Sequence, residues 1–481
     1  MSVKYQDQLT KWDEWIRTGH ASKVRTLSRQ LNHKKIPRPL LVDYAQIARR
    51  VGAPDLILLW LGPIVRSEKK MSWAATDQEK AIYGLGLFRL GAFHEAETIL
   101  SEINPEIEPQ VYFYRASLNM NQWNYAKAIP DLKKYIANKK VAPYQRLVGH
   151  LNLCASLVSN IKKDPKQIEY QIHKLMSQLD QADFPLLKGN LLEIRSQWLY
   201  EKGELKNALA DLDKASQILR KADEQSLIYI DKWKLIIQLK DQKNSKNLVS
   251  QFDDLKKRAI DAKNWETVRD CDLQKALTLK DSNLILKVYW GSKFSAYKKR
   301  VRHLYPSLVV DNTFSWKNSD RKDLPSFNLI ESAPTKTLRK LFFILLSEMY
   351  QPLRSTEIID SLYPNEYYHP ATSPARLHRL IARARKWLQE NQIPVQIQAF
   401  RNAYRLKQLT TSQIILSSQM AAPKIVLPEL VQQEFFRAKD WAKQKNVSER
   451  TARKQILSLV RQGLIESFVR GPKTKYRLKK N

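Results

Sequence analysis

The chain has 481 residues, 43% of them hydrophobic, enough to bury more than one core. Its 82 Lys and Arg outnumber 48 Asp and Glu, giving a net charge of +34, so the expected partners are anionic: nucleic acid first, an acidic membrane surface second. The two cysteines, Cys154 and Cys271, are too few and too far apart for a disulfide scaffold, and both are expected as reduced core thiols.

Other classes fall away in turn. The eight histidines are scattered and no pair has metal-ligand spacing, so no metal is expected. The sequence holds no phosphate-binding glycine loop, no nucleophile constellation and no carboxylate pair with an attendant base. Neither catalysis nor a cofactor is expected. The opening "MSVKYQDQLTKWDEW" lacks the apolar core of a secretory signal. The longest apolar run, "LILLWLGPIV", is about half as long as a membrane span and contains Pro63. A soluble cytoplasmic protein, associated with the nucleoid and not with a membrane, is the expectation. Only 12 glycines and many helix formers favour a mainly α chain.

Residues 1–300 read as helix after helix. One pattern recurs: a small or polar residue, an aromatic or Leu two positions on, and Ala three further. It appears as "GAFHEA" (91–96), "NQWNYA" (121–126) and "GELKNA" (203–208), with a weaker copy, "KNWETV" (263–268). Each copy sits between amphipathic segments, as a turn followed by the close-packed start of a second helix. The best copy, "YGLGLFRLGAFHEAETIL", resembles the tetratricopeptide (TPR) repeat through Gly84, Leu85, Gly91, Phe93 and Ala96. That resemblance implies a solenoid of helical hairpins. Its concave surface would bind a protein or peptide, or the array would serve assembly.

From 301 to about 330 the texture changes to β-branched and aromatic residues among Pro, Asn and Asp, the mark of short strands and turns. A helix follows at 337–350, then a short one at 355–364 with Ser355 as its cap. The third, "SPARLHRLIARARKWL" (373–388), has Leu377, Ile381, Ala384 and Leu388 on one face. Arg376, Arg379, Arg383 and Lys386 lie on the other. "VQIQAF" and "YRLKQ" then form a hairpin, with Asn402 suited to a positive φ. Arg385 is nearer the core edge than Arg383, and Trp387 is a packing residue.

Helix, helix, basic helix, hairpin is the order of a winged helix-turn-helix, whose third helix enters the major groove. Residues 301–408 resemble the DNA-binding domain of OmpR/PhoB-type regulators through Arg383, Arg385, Lys386, Leu388, Phe400, Arg401, Tyr404, Arg405 and Leu406. The family's two wing glycines are missing and the turn is a residue shorter. The resemblance implies a strand platform at 308–330, sequence-specific DNA binding, and DNA contacts by Arg376, Arg379, Arg383, Lys386, Arg401 and Arg405.

Residues 409–427 read as a linker. Residues 428–481 then repeat the theme. "AKDWAKQK" leads through a turn to a cap at Ser448 and a helix with Ala452, Ile456, Leu459 and Val460 inward. This block is similar to the winged helices of DeoR-like bacterial regulators through Val447, Ser448, Arg450, Thr451, Arg453, Gly463, Leu464 and Ile465. It implies DNA contacts by Ser448, Arg450, Arg453, Lys454, Arg470 and Lys473. Residues 301–481 hold 31 Lys and Arg against 14 Asp and Glu, so the basic charge is densest where DNA would be bound. The expected fold is mainly α: a TPR-like helical-hairpin solenoid, then two winged helix-turn-helix domains with small β-hairpin wings. The expected function is a bacterial-type transcription regulator binding double-stranded DNA. Two other readings stay open: a plasmid or phage replication initiator, and a TPR adaptor whose winged helices contact protein or RNA.

Overall fold

The computed structural model describes the chain apart from residues 1, 67–73, 221–223, 242–244, 318–322, 365, 418–434, 445–447, 451, 454–455, 457–459, 461–464, 469–473 and 479–481. It divides into two units, Met1–Gln419 and Met420–Asn481.

The first unit opens with helices α1 (Ser2–Arg17) and α2 (Ala21–Gln30). Successive helical pairs follow: α3 (Arg38–Arg50) with α4 (Pro54–Val65), α5 (Asp77–Leu90) with α6 (Phe93–Ser101), and α7 (Gln110–Asn121) with α8 (Tyr125–Ala137). Next come α9 (Pro143–Ser159) with α10 (Pro165–Asp180), α11 (Pro185–Lys202) with α12 (Leu205–Leu219), α13 (Glu224–Asp241) with α14 (Ser245–Asp261), and α15 (Trp265–Leu279) with α16 (Ser282–Trp290). Helix α17 (Ser295–Leu304) closes the array. The result is a helical-hairpin solenoid. Cys154 and Cys271 are free and buried in it, as expected.

Local chemistry sets the helix ends. Helix α5 starts at a capping box: the Glu79 N–H donates to the Thr76 hydroxyl at 3.2 Å, and the Thr76 N–H donates to the Glu79 carboxylate at 2.8 Å. Three turns share one geometry. Gly91, Trp123 and Gly203 take left-handed backbone at φ 94°, 62° and 83°, the next helix begins two residues on, and an alanine five residues on is fully buried: Ala96, Ala128 and Ala208. The expected register of the second copy was therefore two residues off. Trp123, not Asn121, takes the left-handed position, so Ala126 is exposed and Ala128 packs. The weak copy at 263–268 keeps the same geometry, with Lys263 at φ 58°, α15 starting at Trp265 and Val268 buried, but its turn runs from the second helix of one pair into the first of the next.

After α17 come β1 (Thr313–Lys317), β2 (Ser326–Phe327), α18 (Leu329–Ser332), α19 (Lys336–Leu346), β3 (Leu353–Arg354), α20 (Ser355–Leu362) and α21 (Ser373–Glu390). Strands β4 (Val395–Phe400), β5 (Ala403–Gln408) and β6 (Gln413–Ser417) complete the unit. Strands β3, β5 and β4 form an antiparallel sheet, and β4 and β5 make the wing. Phe400 pairs with Ala403, leaving the two-residue loop Arg401–Asn402, with Asn402 at φ 59° as expected.

Four expectations need correction. The platform is not made from 308–330 alone: β1 and β2 flank β6, antiparallel and parallel respectively. Residues 413–417 are therefore strand and not linker, because alternating Ile414 and Leu416 are buried beneath the sheet. Ser355 is the first residue of α20 and not its cap; the Arg354 N–H donates to the Glu357 carboxylate instead, at 3.0 Å. The boundary expected at 300/301 is also not a packing boundary. One apolar core includes Leu61, Tyr83 and Leu100 of the solenoid with Leu341, Ile358, Leu377 and Leu406 of the winged helix.

The second unit has the same order on a smaller scale. Helix α22 (Ala438–Gln444) precedes helical residues about Ala452 and Ile456, and then the hairpin of β7 (Ile465–Phe468) and β8 (Lys475–Leu478). Phe436, Trp441, Ala452, Ile456 and Tyr476 make its core, with Trp441 stacked on Phe436 at 5.8 Å. Leu459 lies outside the described residues.

Candidate nucleic-acid interface

Helix α21 divides as its sequence dictates. Leu377, Leu380, Ile381, Ala384 and Leu388 are buried, and Arg376, Arg379, Arg383 and Lys386 are exposed. These cations do not have equal freedom. Arg376 pairs with Glu366 and stacks on Tyr363 at 3.5 Å. Lys386 lies 3.6 Å from Glu390, four residues on. Among the described residues, neither Arg379 nor Arg383 has an acceptor or an acid within reach. Two like charges four apart on one helix repel by a few tenths of a kcal/mol. A polyanion laid along that face relieves the repulsion.

Arg385 has a different role. Its Nε and Nη2 donate to the Ile397 carbonyl at 3.2 and 2.8 Å, tying α21 to the wing strand β4. Trp387 packs on Phe342 at 5.4 Å, as expected of a core residue. On the wing, Arg401 stands exposed in the two-residue loop. Arg405 donates to Gln398 Oε1 at 3.1 Å and lies over the Phe400 ring, so it braces the hairpin. Among the described residues, Arg379, Arg383 and Arg401 are thus cations of this domain without an acidic partner.

The opposite side of the domain is occupied. Seven of the eight residues of α20 are buried, its polar ones included. Asp360 accepts from the His94 and Glu95 backbone N–H groups at 3.0 and 3.3 Å, and pairs with His94 Nδ1 at 2.7 Å. It thereby caps the N-terminus of α6, which has no cap of its own. This pairing with Asp360 raises the His94 pKa. Thr356 donates to the Leu90 carbonyl, and Arg354 to the Arg89 carbonyl at 2.6 Å. Arg66 pairs with Glu95, whose other oxygen accepts from the Tyr368 N–H at 2.9 Å. The far end of the solenoid also takes part: Tyr350 donates to Asp272 at 3.0 Å, and the Met349 N–H to the Gly291 carbonyl at 3.0 Å. The winged helix is held between the α5–α6 turn and helices α15 and α16.

In the second unit Ser448, Arg450 and Arg453 are exposed, and Arg453 pairs with Glu449 at 2.8 Å. Lys454, Arg470 and Lys473 lie outside the described residues. The wing strands are joined by Arg477 and Glu466.

Sequence reasoning missed one further site. Helices α11, α13, α15 and α17 line a cavity of about 430 Å³ with Glu193, Lys232, Glu266, Asp270 and Arg300. Its sequence signal is "RDCD" (269–272), three charges in four residues around a cysteine. Among the described residues no cluster of His, Cys, Asp and Glu is arranged to hold a metal ion, and no helix is long and apolar enough to cross a membrane.

No protein-family model matches the chain, and no curated protein matches it. Among solved structures it is similar to the crystal structure of a Rap protein complexed with competence and sporulation factor. The alignment covers 81% of this chain and 99% of that one, at 13% identity and a TM-score of 0.38.

Proposed function

We propose that the chain is a sequence-specific DNA-binding transcription regulator whose helical repeats receive a protein or peptide signal. The observation that carries this reading is the pair Arg379 and Arg383, exposed and without acidic partners on α21, with Arg401 at the wing tip. In a winged helix the third helix reads base edges in the major groove, where arginine pairs with guanine, and the wing contacts the backbone. The solenoid is the receiving domain, and docking through α20 joins the two. Any shift between the α5–α6 turn and α15 is carried directly to α21.

Selection of bound fragments from a randomised duplex pool by the full chain tests this. A recovered consensus that Arg379→Ala or Arg383→Ala relaxes supports it. Recovery of random duplex only would overturn sequence-specific reading. An array of repeated sites at an origin would favour the replication initiator. The burial of α20 against protein favours a second reading, an adaptor that uses its winged helices for protein contacts. That reading expects no duplex affinity at low salt.

A further inference from the structure

The cavity among the solenoid helices is at odds with the rest of the molecule in charge. The chain as a whole carries +34. Yet this cavity presents three carboxylates, Glu193 of α11 and Glu266 and Asp270 of α15, to two cations, Lys232 of α13 and Arg300 of α17. Those cations are already matched. Lys232, 2% exposed, lies 2.9 Å from Asp270 and 3.6 Å from Glu266, and Arg300 sits in the field of Asp270, over the Trp123 ring. Glu193 is the carboxylate left over. Among the described residues, the one hydrogen-bond partner of its carboxylate is neutral, the Gln197 amide at 2.7 Å. Asn190, one turn before it on the same wall, has a side-chain amide with no partner among the described residues. Burial pushes the Glu193 carboxyl up to about 7, and the nearby Lys232, already paired with Asp270, pulls it only part of the way back.

A second cavity, of about 420 Å³, adjoins the first and shares Trp123, Tyr125, Ser159 and Arg300 with it. Its own charged groups are Lys162 and Lys299, both exposed and without an acidic partner among the described residues. The two cavities therefore share an aromatic wall, with carboxylates lining the first and lysines the second. Each is within the size range of ligand pockets.

We propose that the two cavities act as one groove that binds a short peptide with free termini, its N-terminal ammonium at Glu193 and its C-terminal carboxylate at Lys162 and Lys299. A zwitterion satisfies both ends at once. A polyamine would satisfy only the acidic end, and a nucleotide only the basic one. The inference rests on the reading of the repeats as a peptide receptor and adds to it the polarity and the recognised groups.

The test uses the full chain, immobilised, with a random pentapeptide library in three forms: free termini, N-acetylated and C-amidated. Retained peptides are quantified by mass spectrometry. Retention of free-termini peptides should exceed that of either blocked form by about tenfold, the scale of one charged contact. Glu193→Gln, which keeps size and hydrogen bonding, should abolish the discrimination against N-acetylation and leave that against C-amidation. Lys299→Ala with Lys162→Ala should do the reverse. Equal retention of the acetylated library, with peptides still bound, would overturn the polarity and leave the receptor reading in place. No retention of any form would overturn both. Displacement by spermidine of everything retained, with no preference for a free carboxylate, would make the site a polyamine site and overturn the proposal.

Discussion

Replacing Gly91 with alanine isolates the docking of the winged helix. Gly91 sits at φ 94° in the α5–α6 turn, and a Cβ there would lie 2.5 Å from Cγ of Glu357 on α20. Glu357 has little room to retreat: its carboxylate accepts from the Arg354 N–H at 3.0 Å and lies 3.3 Å from Lys293 Nζ. Gly203 is the internal control. It has φ 83° in an equivalent turn, and nothing lies within 4 Å of its hypothetical Cβ. Both substitutions incur the left-handed cost of a Cβ, about 1 kcal/mol. Gly91→Ala adds overpacking of about 1–3 kcal/mol against a fixed neighbour. Native-state hydrogen exchange of the α20 amides reads the difference, because it reports local opening in a chain of two units. Gly91→Ala should speed exchange in α20 far more than Gly203→Ala, and Glu357→Ala in the same chain should remove the excess. Equal effects of the two glycine variants would refute the account of docking.

Other outcomes follow from the same geometry. Asp360 raises the His94 pKa, so this pair stabilises docking fully below the ordinary histidine value near 6.5 and loses that contribution as pH rises through the raised value. Urea midpoints followed by tryptophan fluorescence should fall with pH above 6.5 in the wild type and less in Asp360→Asn. Arg385→Ala should destabilise the domain by about 1–2 kcal/mol through lost hydrogen bonds to Ile397, whereas Arg383→Ala should stay within about 0.5 kcal/mol; thermal melts distinguish them. Binding of an ammonium-bearing peptide should weaken as pH falls through about 7, where Glu193 takes up a proton. The neighbouring charges there are Lys232, which lowers that value, and Glu266, which raises it; calorimetry across pH 6–8 in wild type and Glu193→Gln measures the change.

The two periodicities were legible in the sequence because each reports a single face. The 3.6-residue spacing of Leu377, Ile381, Ala384 and Leu388 marked the buried side of α21, and alternation marked the wing strands. Turn chemistry was legible where Gly91, Gly203 and Asn402 take positive φ, and misleading where Trp123 does so, since an aromatic gives no such signal. Strand β6 was read as linker because it pairs with β1 nearly one hundred residues earlier, and no local pattern reports such a partner. The same holds for α20. Its Thr356, Glu357 and Asp360 look like a solvated face, and they are buried because the end of α5, the α5–α6 turn and the start of α6 lie against them. The charged cavity was invisible for a related reason: its five charges come from four helices more than one hundred residues apart at the extremes.

The most direct test of DNA reading is the salt dependence of duplex binding by the full chain, compared with the Arg379→Ala, Arg383→Ala, Arg401→Ala triple variant. Each phosphate neutralised contributes about −0.9 to the slope of log K against log salt. If these three residues lie on DNA, the variant should lose affinity for the selected site and its slope should become shallower by up to about 2–3, with any base-edge contact costing a further 1–3 kcal/mol of sequence preference. Unchanged slope, affinity and preference, in a variant with the wild-type melting profile, would contradict the assignment of this face to DNA.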